Sequence, residues 1–455
     1  TKDNCMTKTF PIGGIHPKKY KLAADIAITD AGLPEYVYIP VKQHTGTPAK
    51  IVVSQNDKVK VGTLLAAADG IVSAPVHSSV SGEVVKISQE EGRCGYYENI
   101  ITIKVDGNEF ADGIDTTDTV IAEIPDDTEE IMRRIRNAGI VGMGGAGYPT
   151  PIKTTIPEGR KAEYLIINGI ECEPFLCADD RLMQEKAEEI IIGAKIINKL
   201  LGIQKAIIAI DENKPRAIEI MTRLTKSYVG VNVRVCKTKY PQGGEKQLIA
   251  AITEREVPIA KLPIDIGCVV QNAGTVFAVY EAVMKKKPLI ERIVTISGDA
   301  AQKSANFRVR IGTPAEFLIN KIGGITKKTD EIIFGGPFMG TSVTNLKAPV
   351  TKLTSGILLL SANLTKKEPE TACIRCGKCV DACPQGLMPF EIARYARNND
   401  FSQIMRLHAR DCIECGSCAY ICPARIPLLD YCKMSKAEAK KILKSRFAKK
   451  EKSAG

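Results

Sequence analysis

The hydrophobic pattern changes along the chain from short alternations to helical periodicity. Residues 37–88 alternate apolar and polar side chains in brief runs broken by Gly, Asn-Asp and Ala-Pro, which is typical of β-strands joined by turns. From residue 121 onward, apolar strands alternate with amphipathic helices. The predicted strands are 163–170, 205–211, 231–238 and 268–274, and the predicted helices are 126–137, 181–202, 215–227, 244–255 and 275–287. This alternation predicts a mostly parallel α/β sheet with both faces covered.

The β-rich stretch contains NDKVKVGTLLA and SAPVHSSVSGEV, phrases that resemble the barrel-sandwich fold of biotinyl and lipoyl carriers. A carrier needs a lysine at the tip of its central hairpin, whereas the tip here falls near Asp69 and Gly70. We therefore predict a structural barrel-sandwich-like module and no swinging arm.

These patterns predict a multidomain chain. The length of 455 residues is too great for one core and favours two to four domains. Residues 291–360 read as a small α+β domain, and helical spacing in 389–409 indicates helices inside the cysteine-rich region. The predicted domains are a β-rich module (1–120), an α/β domain (121–290), a small domain (291–362), a ferredoxin domain (363–433) and a basic tail (434–455).

Composition and charge exclude several classes of protein. No apolar run approaches the ~18 residues that span a bilayer, and the first residues lack the apolar core of a secretory leader. We therefore expect a cytosolic protein. The net charge is +11, and residues 433–452 carry nine Lys/Arg against two Glu. Such a tail suits an anionic lipid, an acidic protein or simple solvation. Sparse aromatics and the absence of Trp argue against nucleic-acid binding.

Eight of the fifteen cysteines form two copies of C-x2-C-x2-C-x3-C-P, the bacterial run that binds [4Fe–4S] clusters. The fourth cysteine of each run serves the other cluster in two-cluster ferredoxins. Two zinc sites are the weaker alternative, since their C-x2-C pairs usually lie well apart. The predicted ligands are Cys373, Cys376, Cys379 and Cys422 for one cluster, and Cys412, Cys415, Cys418 and Cys383 for the other.

The other cysteines share no ligand spacing, and we expect most of them to be small buried apolar residues. Cys172 lies between two glutamates and is either such a residue or, less favoured, a reactive thiol. The four histidines are scattered and indicate no site. The remaining cysteines are Cys5, Cys94, Cys177, Cys236, Cys268 and Cys432, and the histidines are His16, His44, His77 and His408.

Loops rich in glycine and acidic residues follow several predicted strands. The ranges 168–180, 240–248 and 269–275 lie at carboxyl ends of strands, where open α/β sheets bind ligands. The loop 142–153 follows a helix, so it is not a Rossmann fingerprint. Its glycines let backbone N–H groups approach a phosphate, and Lys153 adds a positive charge. On an extended loop both Glu171 and Glu173 could face the pocket, although solvated acids are the plainer alternative.

These motifs, in this order, resemble the NADH- and FMN-binding flavoprotein subunits of respiratory complex I and related hydrogenases. They are more similar to the C-subunit family of the Rnf complex, an ion-pumping NAD:ferredoxin oxidoreductase. The shared motifs are GGIHP, GxGGAGYPTxxK, NxxECEPFxxxD, GGPFMGT and the double cysteine run. Met143 and Ile170, where complex I has Arg and Asp, and the eight-cysteine module favour the Rnf branch.

The resemblance implies specific site residues. Glu171 and Glu173 would be the catalytic-site acids, with Glu171 bonding the flavin and Glu173 the nicotinamide side. Gly142, Gly144, Lys153 and Asn168 would line the FMN, with Lys153 near its phosphate or near the edge of its ring. The dinucleotide would contact Gly145, Ala146, Gly147 and the stacking ring of Tyr148. Further pocket residues would be Tyr240, Gly244 and Glu245, with Gln271, Asn272 and Thr275 at the FMN phosphate. Residues 291–362 would form a β-grasp (soluble ligand-binding) domain.

The implied function is electron transfer. NAD(H) exchanges a hydride and a cubane cluster accepts one electron, so a noncovalent FMN would stand between them. The expected partners are NAD(H), other subunits of a membrane complex including an iron–sulfur subunit, and ferredoxin indirectly. The expected location is peripheral, on the cytoplasmic side of the cell membrane. The alternatives are a cobalamin (corrin) reductase of the propanediol-utilisation type and a non-catalytic iron–sulfur adaptor.

Overall fold

The structure is a computed structural model that describes residues 7–92, 97–366 and 368–454; within these ranges the side chains of residues 401, 444 and 446–454 are not described. Cys5 and Cys94 lie outside the described residues. No helix in the described part of the chain has the length and apolarity needed to cross a lipid bilayer.

The first module is built from short strands, as predicted. Its strands form two small sheets with the orders β2-β8-β7-β4 and β3-β5-β6, and their inward residues form one apolar core. The tip near Asp69 lies between β5 and β6. The strand β1 (Ile28–Asp30) precedes this module, whose strands are β2 (Tyr36–Pro40), β3 (Lys50–Ile51), β4 (Lys58–Val59), β5 (Leu64–Ala67), β6 (Val76–His77), β7 (Ser81–Glu91) and β8 (Tyr97–Gly107).

The predicted α/β domain is confirmed. Four strands with the order β11-β10-β9-β12 pair in parallel throughout, and separate apolar clusters cover the two faces. Its helices are α1 (Thr128–Asn137), α2 (Thr150–Thr154), α3 (Ala178–Glu185), α4 (Ala187–Leu201), α5 (Pro215–Thr225), α6 (Glu245–Thr253) and α7 (Ala273–Met284), and its strands are β9 (Tyr164–Gly169), β10 (Ala206–Asp211), β11 (Val231–Cys236) and β12 (Cys268–Asn272).

One predicted helix is wrong. The single helix expected over 181–202 is two helices, because Lys186 leaves the helical region with φ −129° and ψ 38°. The break lets α3 pack on α5 while α4 packs along α7. The helical periodicity of the sequence continues through the break and does not reveal it.

The small domain is a mixed sheet with the order β1-β14-β13-β17-β15-β16. The outer pairs β13–β14 and β15–β17 are antiparallel, and the central pair β13–β17 is parallel. The sheet also includes β1, which the sequence assigned to the first module, because Asn306 donates hydrogen bonds to the carbonyls of Ala23 and Ile26. Its elements are β13 (Glu291–Ser297), β14 (Ala305–Arg310), α8 (Ala315–Lys321), β15 (Thr329–Phe334), β16 (Thr341–Ser342), β17 (Gly356–Ser361) and α9 (Ala362–Thr365).

Residues 8–31, which we call the N-terminal strap, cross several modules before the β-rich module begins. Lys8 bridges to Cys236 at the end of β11. Further along, Ile15 exchanges two backbone hydrogen bonds with Tyr240, each 2.8 Å long. The amide of Gly14 donates to the carbonyl of Ala382 in the cysteine-rich domain. The strap therefore lies over the carboxyl edge of the parallel sheet.

The cysteine-rich domain is helical, and the helices predicted between the two cysteine runs are present. They are α11 and α12, which pack against the long C-terminal helix α14. The helices are α10 (Lys378–Asp381), α11 (Pro389–Arg397), α12 (Phe401–Arg406), α13 (Ser417–Ile421) and α14 (Leu428–Ala454).

Candidate flavin, nucleotide and iron–sulfur sites

The glycine loop closes on itself between α1 and α2. The amide of Gly142 donates to the carbonyl of Tyr148 at 2.8 Å, and the amide of Gly147 returns to the carbonyl of Gly142 at 3.1 Å. The tip, which includes Gly144 and Gly145, is exposed. Gly145 has a φ of 116° and open space where a side chain would lie. The tip therefore offers backbone amides to a ligand, as the glycine pattern predicts.

Three modules hold this loop in place. The amide of Met143 donates to the Thr275 hydroxyl at 2.8 Å, and its carbonyl accepts from Nη2 of Arg292 at 2.9 Å. From the β-rich module, the Thr45 hydroxyl donates to the carbonyl of Ala146 at 2.6 Å. Thr275, predicted at the FMN phosphate, thus supports the loop through its side chain.

The end of β12 lies beside the loop. The Asn272 side chain caps α7 by accepting from the Thr275 amide, and its Nδ2 donates to Asp179 at 2.6 Å. A Cβ atom on Gly144 would lie 3.3 Å from the Asn272 Cβ. The side chain of Gln271 is buried, and its Nε2 has no hydrogen-bond partner among the described residues.

A second group of predicted residues meets at the amino end of α6. Lys153 forms an ion pair with Glu245 at 2.5 Å and also donates to the carbonyl of Val270 at 2.7 Å. The amide of the Asn168 side chain donates to the carbonyl of Gly243 at 2.8 Å, next to Gly244. The structure therefore brings together Lys153, Asn168, Gly244 and Glu245, which come from separate segments.

The two predicted catalytic acids do not share one partner. Both oxygens of Glu171 accept backbone N–H groups of Asp179 and Asp180, at 2.8 and 3.2 Å, so this carboxylate holds the start of α3. The Glu173 carboxylate turns to the small domain, where it accepts the amides of Phe338 and Met339 at 3.0 and 2.9 Å. Its predicted nicotinamide contact stays a prediction.

Burial is the main cause of the pKa shifts of Glu173 and Cys172 in this acidic loop. It raises the pKa of Glu173 to about 7. Burial and then the Glu173 charge raise the pKa of the Cys172 thiol to about 12. A thiol with so high a pKa carries little thiolate near neutral pH. This supports the predicted filler role for Cys172 over the reactive one.

The two predicted pocket tyrosines differ. Tyr148 is half-buried at the base of the glycine loop. Tyr240 is only 2% exposed; its ring stacks on Phe338 at 4.4 Å, and its hydroxyl donates to the carbonyl of Cys415 at 2.8 Å. Tyr240 therefore joins the sheet edge to the cysteine-rich domain.

Sequence reasoning missed two charged residues at this site. Asp179 lies in a quoted motif but was given no role; burial and then the charge of Glu171 raise its pKa to about 6. Arg292 is buried, and besides Met143 its Nε donates to the carbonyl of Thr354 at 3.0 Å. Because Arg292 comes from the small domain, no local pattern could have assigned it to the glycine loop.

The residues present fit an FMN. Two buried donors, Nε2 of Gln271 and Nη1 of Arg292, have no hydrogen-bond partner within the described chain. Buried donors of this kind are costly unless a partner satisfies them. The phosphate and carbonyl oxygens of FMN are acceptors, and the exposed amides of the glycine tip suit the same chemistry.

The first predicted cluster set surrounds one cavity. The cavity has a volume of about 100 Å³. It is lined by both chain segments that supply the cysteines of this set, together with Phe390 and Ile426. The thiols in this lining are Cys373, Cys376, Cys379 and Cys422. Two of them, Cys373 and Cys376, are exposed, so the cavity opens to the surface.

The second set is more buried. Backbone amides approach two of its sulfurs at 3.4 Å, from Leu387 to Cys383 and from Glu414 to Cys412. Cys432, predicted to be a buried apolar residue, is 1% exposed and contacts the thiols of Cys412 and Cys418. The described side chains include no group of three or more positioned for a single metal ion, and the assignment of all eight ligands stays a prediction.

Comparisons with protein-family models match three of the four modules, the β-rich module, the α/β domain and the cysteine-rich domain. An FMN-binding domain of the Nuo51 type matches residues 135–281, and an RnfC barrel sandwich hybrid domain matches residues 8–108. A 4Fe-4S dicluster domain matches residues 372–426. The predicted barrel-sandwich, FMN-binding and two-cluster domains are thereby confirmed.

Solved structures show the same fold at low sequence identity. Two structures of an NAD+-reducing [NiFe]-hydrogenase, air-oxidized and H2-reduced, align with TM-scores of 0.52 and 0.51 at 17% and 18% identity. Each alignment covers 70% of this chain and 65% of the hydrogenase chain, just under two thirds of its length.

Curated relatives are much closer in sequence. The C subunit of a proton-translocating ferredoxin:NAD(+) oxidoreductase complex from Clostridium ljungdahlii is 44% identical, over 84% of this chain and 83% of its own length. The C subunit of a Na(+)-translocating complex from Acetobacterium woodii is 40% identical, over 94% and 96%. The C subunit of an ion-translocating oxidoreductase complex from Rhodobacter capsulatus is 41% identical, over 84% and 73%. The chain therefore belongs to the C-subunit family of ion-translocating ferredoxin:NAD(+) oxidoreductase complexes, the Rnf C-subunit family.

Proposed function

We propose that the protein is the subunit that exchanges hydride with NAD(H) at a noncovalent FMN and passes electrons to two [4Fe–4S] clusters. The observation that carries this proposal is the link from the flavin-side sheet edge to the cysteine-rich domain through Tyr240 and Cys415. An FMN would supply the change from two-electron to one-electron transfer. The protein would then serve an ion-translocating NAD:ferredoxin oxidoreductase, as the names of its relatives describe.

The residues of this chain would bind and orient the two nucleotides. The glycine tip and Gln271 offer N–H donors to the FMN phosphate, and the Lys153 ammonium adds a positive charge next to Glu245. The rigid hydrogen bonding around Met143 keeps those donors in place without ligand. Preformed donors of this type lower the ordering cost of binding.

The two cysteine sets would occupy different positions relative to the flavin. Residues 240–247 contact the segments of the second set at two points, through Tyr240 to Cys415 and through Gln247 Nε2 to the carbonyl of Pro384, next to Cys383, at 3.4 Å. The first set instead includes the exposed Cys373 and Cys376. We infer that the Cys383/Cys412/Cys415/Cys418 cluster lies on the flavin side and the other on the partner side.

We also propose where a partner subunit docks, where the protein is located and how the small domain is classified. An iron–sulfur subunit would dock near the exposed Ile374, between the two exposed thiols of the first set. The location would be peripheral, on the cytoplasmic side of the membrane. The parallel central pair β13–β17, flanked by antiparallel strands, supports the β-grasp description of the small domain. The domain boundaries given by the sequence remain part of the proposal.

The alternative functions are less well supported. A corrin reductase and a passive electron adaptor share parts of this architecture, but the relatives described above are named as translocating oxidoreductase subunits. An adaptor would also have no need for unpartnered buried donors beside the glycine loop. NADH bleaching of a bound flavin separates an adaptor from the proposed enzyme.

The test is anaerobic purification with the native neighbouring subunits. Iron, sulfide, zinc, flavin and co-purifying subunits are quantified, and NADH is added while flavin absorbance is followed. We expect at least eight iron atoms and at least one FMN that is not covalently bound per copy of this subunit, and bleaching of the flavin by NADH. Zinc in place of iron, or a flavin that NADH does not bleach, would sink the proposal.

The positions of the clusters are tested by paired substitutions. Cys415→Ser alters the flavin-side set and Cys373→Ser the partner-side set. Electron paramagnetic resonance after NADH addition should show a reduced cluster in Cys373→Ser and little or none in Cys415→Ser. Dithionite reduces the remaining cluster in both variants and is the control. The reverse pattern would contradict the assigned order.

A further inference from the structure

The side chain of Lys21, in the N-terminal strap, binds the loop that carries the two acids. Its Nζ donates to three main-chain carbonyls, those of Glu171 at 2.9 Å, Glu173 at 3.1 Å and Leu176 at 2.6 Å. A lysine ammonium has three N–H donors and no acceptor. One side chain from a distant segment therefore uses its full donor capacity on a single turn.

The turn needs such support because its backbone is strained. Glu171 has φ 45° and Phe175 has φ 68°, values that non-glycine residues seldom adopt. The strap supplies two further contacts at this point: the amide of Phe175 donates to the carbonyl of Lys19 at 3.1 Å, and Tyr20 stacks on the Phe175 ring at 4.7 Å. The strap therefore fixes the turn by main-chain, side-chain and aromatic contacts.

A second ammonium reinforces the start of the turn. Nζ of Lys214, which is 2% exposed, donates to the carbonyl of Ile170 at 2.7 Å. Burial, and then the neighbouring charge of Lys214, lowers the pKa of Lys21. The ammonium groups of Lys21 and Lys214 are held close together. This is unfavourable unless the carbonyl groups that accept their hydrogen bonds compensate for the repulsion.

The orientation of the turn is transmitted to the flavin loops. The Glu171 carboxylate holds the amide of Asp179, whose carboxylate accepts from Asn272. Asn272 caps α7, where Thr275 holds the glycine loop through Met143. A continuous set of hydrogen bonds thus connects the Lys21 turn to the FMN-side backbone.

We propose that Lys21 is a positioning residue that fixes the acidic turn for NAD(H) reaction at the flavin. This proposal rests on the proposed function, because it assigns Lys21 to the same site. Lys21 touches no reacting atom and acts through the three carbonyls it binds. Without its ammonium the turn relaxes, and both Glu171 and the start of α3 lose their set positions.

The test compares three variants of the full chain. Lys21→Met removes the ammonium, and Lys21→Ala also leaves room for a small amine beside the cavity that Lys21 lines with Cys172 and Pro174. Lys19→Met is the matched control, because the Lys19 side chain is exposed and the hydrogen bond between Lys19 and the turn uses the Lys19 carbonyl, which the substitution keeps. We expect stopped-flow flavin reduction by NADH to slow about tenfold in Lys21→Met and Lys21→Ala. Lys19→Met should match the wild type.

Chemical rescue distinguishes positioning from a general loss of stability. Propylammonium should restore the rate in Lys21→Ala, whereas tetramethylammonium at equal ionic strength, which has no N–H donor, should not. A second readout needs no flavin: hydrogen exchange of amides 171–180 in FMN-free protein should rise in Lys21→Ala and fall again with propylammonium. An unchanged rate and unchanged exchange would overturn the proposal, and so would a loss that propylammonium does not reverse.

If Lys21→Met and Lys21→Ala do not fold, the variant Lys21→Arg still tests the proposal. Its fork cannot donate to all three carbonyls from one atom, so we expect full iron and FMN content with a raised KM for NADH. If Lys21→Met and Lys21→Ala do not fold and Lys21→Arg has wild-type kcat and KM, the role is structural and the proposal fails. Wild-type protein that NADH does not bleach contradicts the proposed function itself. Normal bleaching in every variant contradicts only the role of Lys21.

Discussion

The Tyr240 hydroxyl donates a hydrogen bond to the main-chain carbonyl of Cys415, at 2.8 Å. The Tyr240 ring stacks on Phe338 of the small domain, and the Phe338 ring meets the edge of Tyr420 at 5.3 Å. The backbone of Tyr240 pairs with Ile15 of the strap. One buried tyrosine thus joins four parts of the chain between the flavin-side loops and a predicted cluster.

Tyr240→Phe should loosen this junction without removing the ring stack. The carbonyl of Cys415 would lose a buried donor, which costs about 1–3 kcal/mol. We expect hydrogen exchange of amides 412–418 to increase and cluster reduction by NADH to slow, with flavin reduction unchanged. Tyr228→Phe is the control, since the hydroxyl of Tyr228 bonds to Glu188 away from the junction. Identical exchange in wild type and Tyr240→Phe would refute the prediction.

Glu173 should make stability depend on pH in a definite direction. Its folded pKa of about 7 lies above the unfolded value of about 4.3. Between these values the folded state binds more protons, so the free energy of unfolding falls as pH rises and levels off above about pH 7. The full effect of such a shift is about 3–4 kcal/mol.

Glu173→Gln cannot ionise and should lose this dependence. Thermal midpoints measured from pH 5.5 to 8 should therefore rise in the variant relative to the wild type as pH increases. Only the slope is compared, because the glutamine amide also changes the contacts with Phe338 and Met339 at every pH. Parallel pH profiles for the two proteins would show that Glu173 does not titrate in this range.

Features that depend on residues close together in the sequence were predicted, and contacts between distant segments were not. The parallel sheet and the two-cluster domain follow from local patterns and both are confirmed, whereas the assignment of the cluster ligands stays a prediction. The loops 168–180 and 240–248 also meet, as expected for strand ends at one edge of a parallel sheet, since the Asn168 side chain donates to the carbonyl of Gly243. The prediction of a single helix over 181–202 is wrong because the backbone at Lys186 is not helical, although the hydrophobic pattern stays helical on both sides of it.

Contacts between modules could not be predicted. Nothing in the sequence indicates that the oxygens of Glu173 bind the amides of Phe338 and Met339, more than 160 positions away. Arg292 reaches the glycine loop from the small domain, and Lys21 reaches the acidic turn from the strap. Neither hydrophobic periodicity nor motif spacing records which distant segments a fold brings together.

Lys153→Met should weaken FMN binding. The ammonium of Lys153 lies between Glu245 and the carbonyl of Val270. Its removal would leave the Glu245 carboxylate without its counter-charge beside the site that we propose for the FMN phosphate. A charge-assisted contact of this type contributes about 1.5–3 kcal/mol. We expect the Kd for FMN to rise at least about tenfold in fluorescence titrations of FMN-free protein. Lys161→Met, at an exposed position, is the control; equal Kd values for the two variants would exclude Lys153 from the phosphate site.

Gly147→Ala should damage the glycine loop more than a comparable change elsewhere. Gly147 has φ 64°, and an added Cβ would lie 3.0 Å from Leu353 and 3.3 Å from the Cα of His44. Gly159 has φ 74° with no atom within 4 Å of an added Cβ. Both alanines incur the left-handed backbone cost of about 1–2 kcal/mol, but only Gly147→Ala also pushes the loop away from its supports. We expect the left-handed backbone cost to lower the thermal stability of both variants by a similar, small amount. We expect a marked loss of FMN affinity in Gly147→Ala alone. Equal FMN affinity in both variants would mean that the loop tolerates displacement and does not position the flavin.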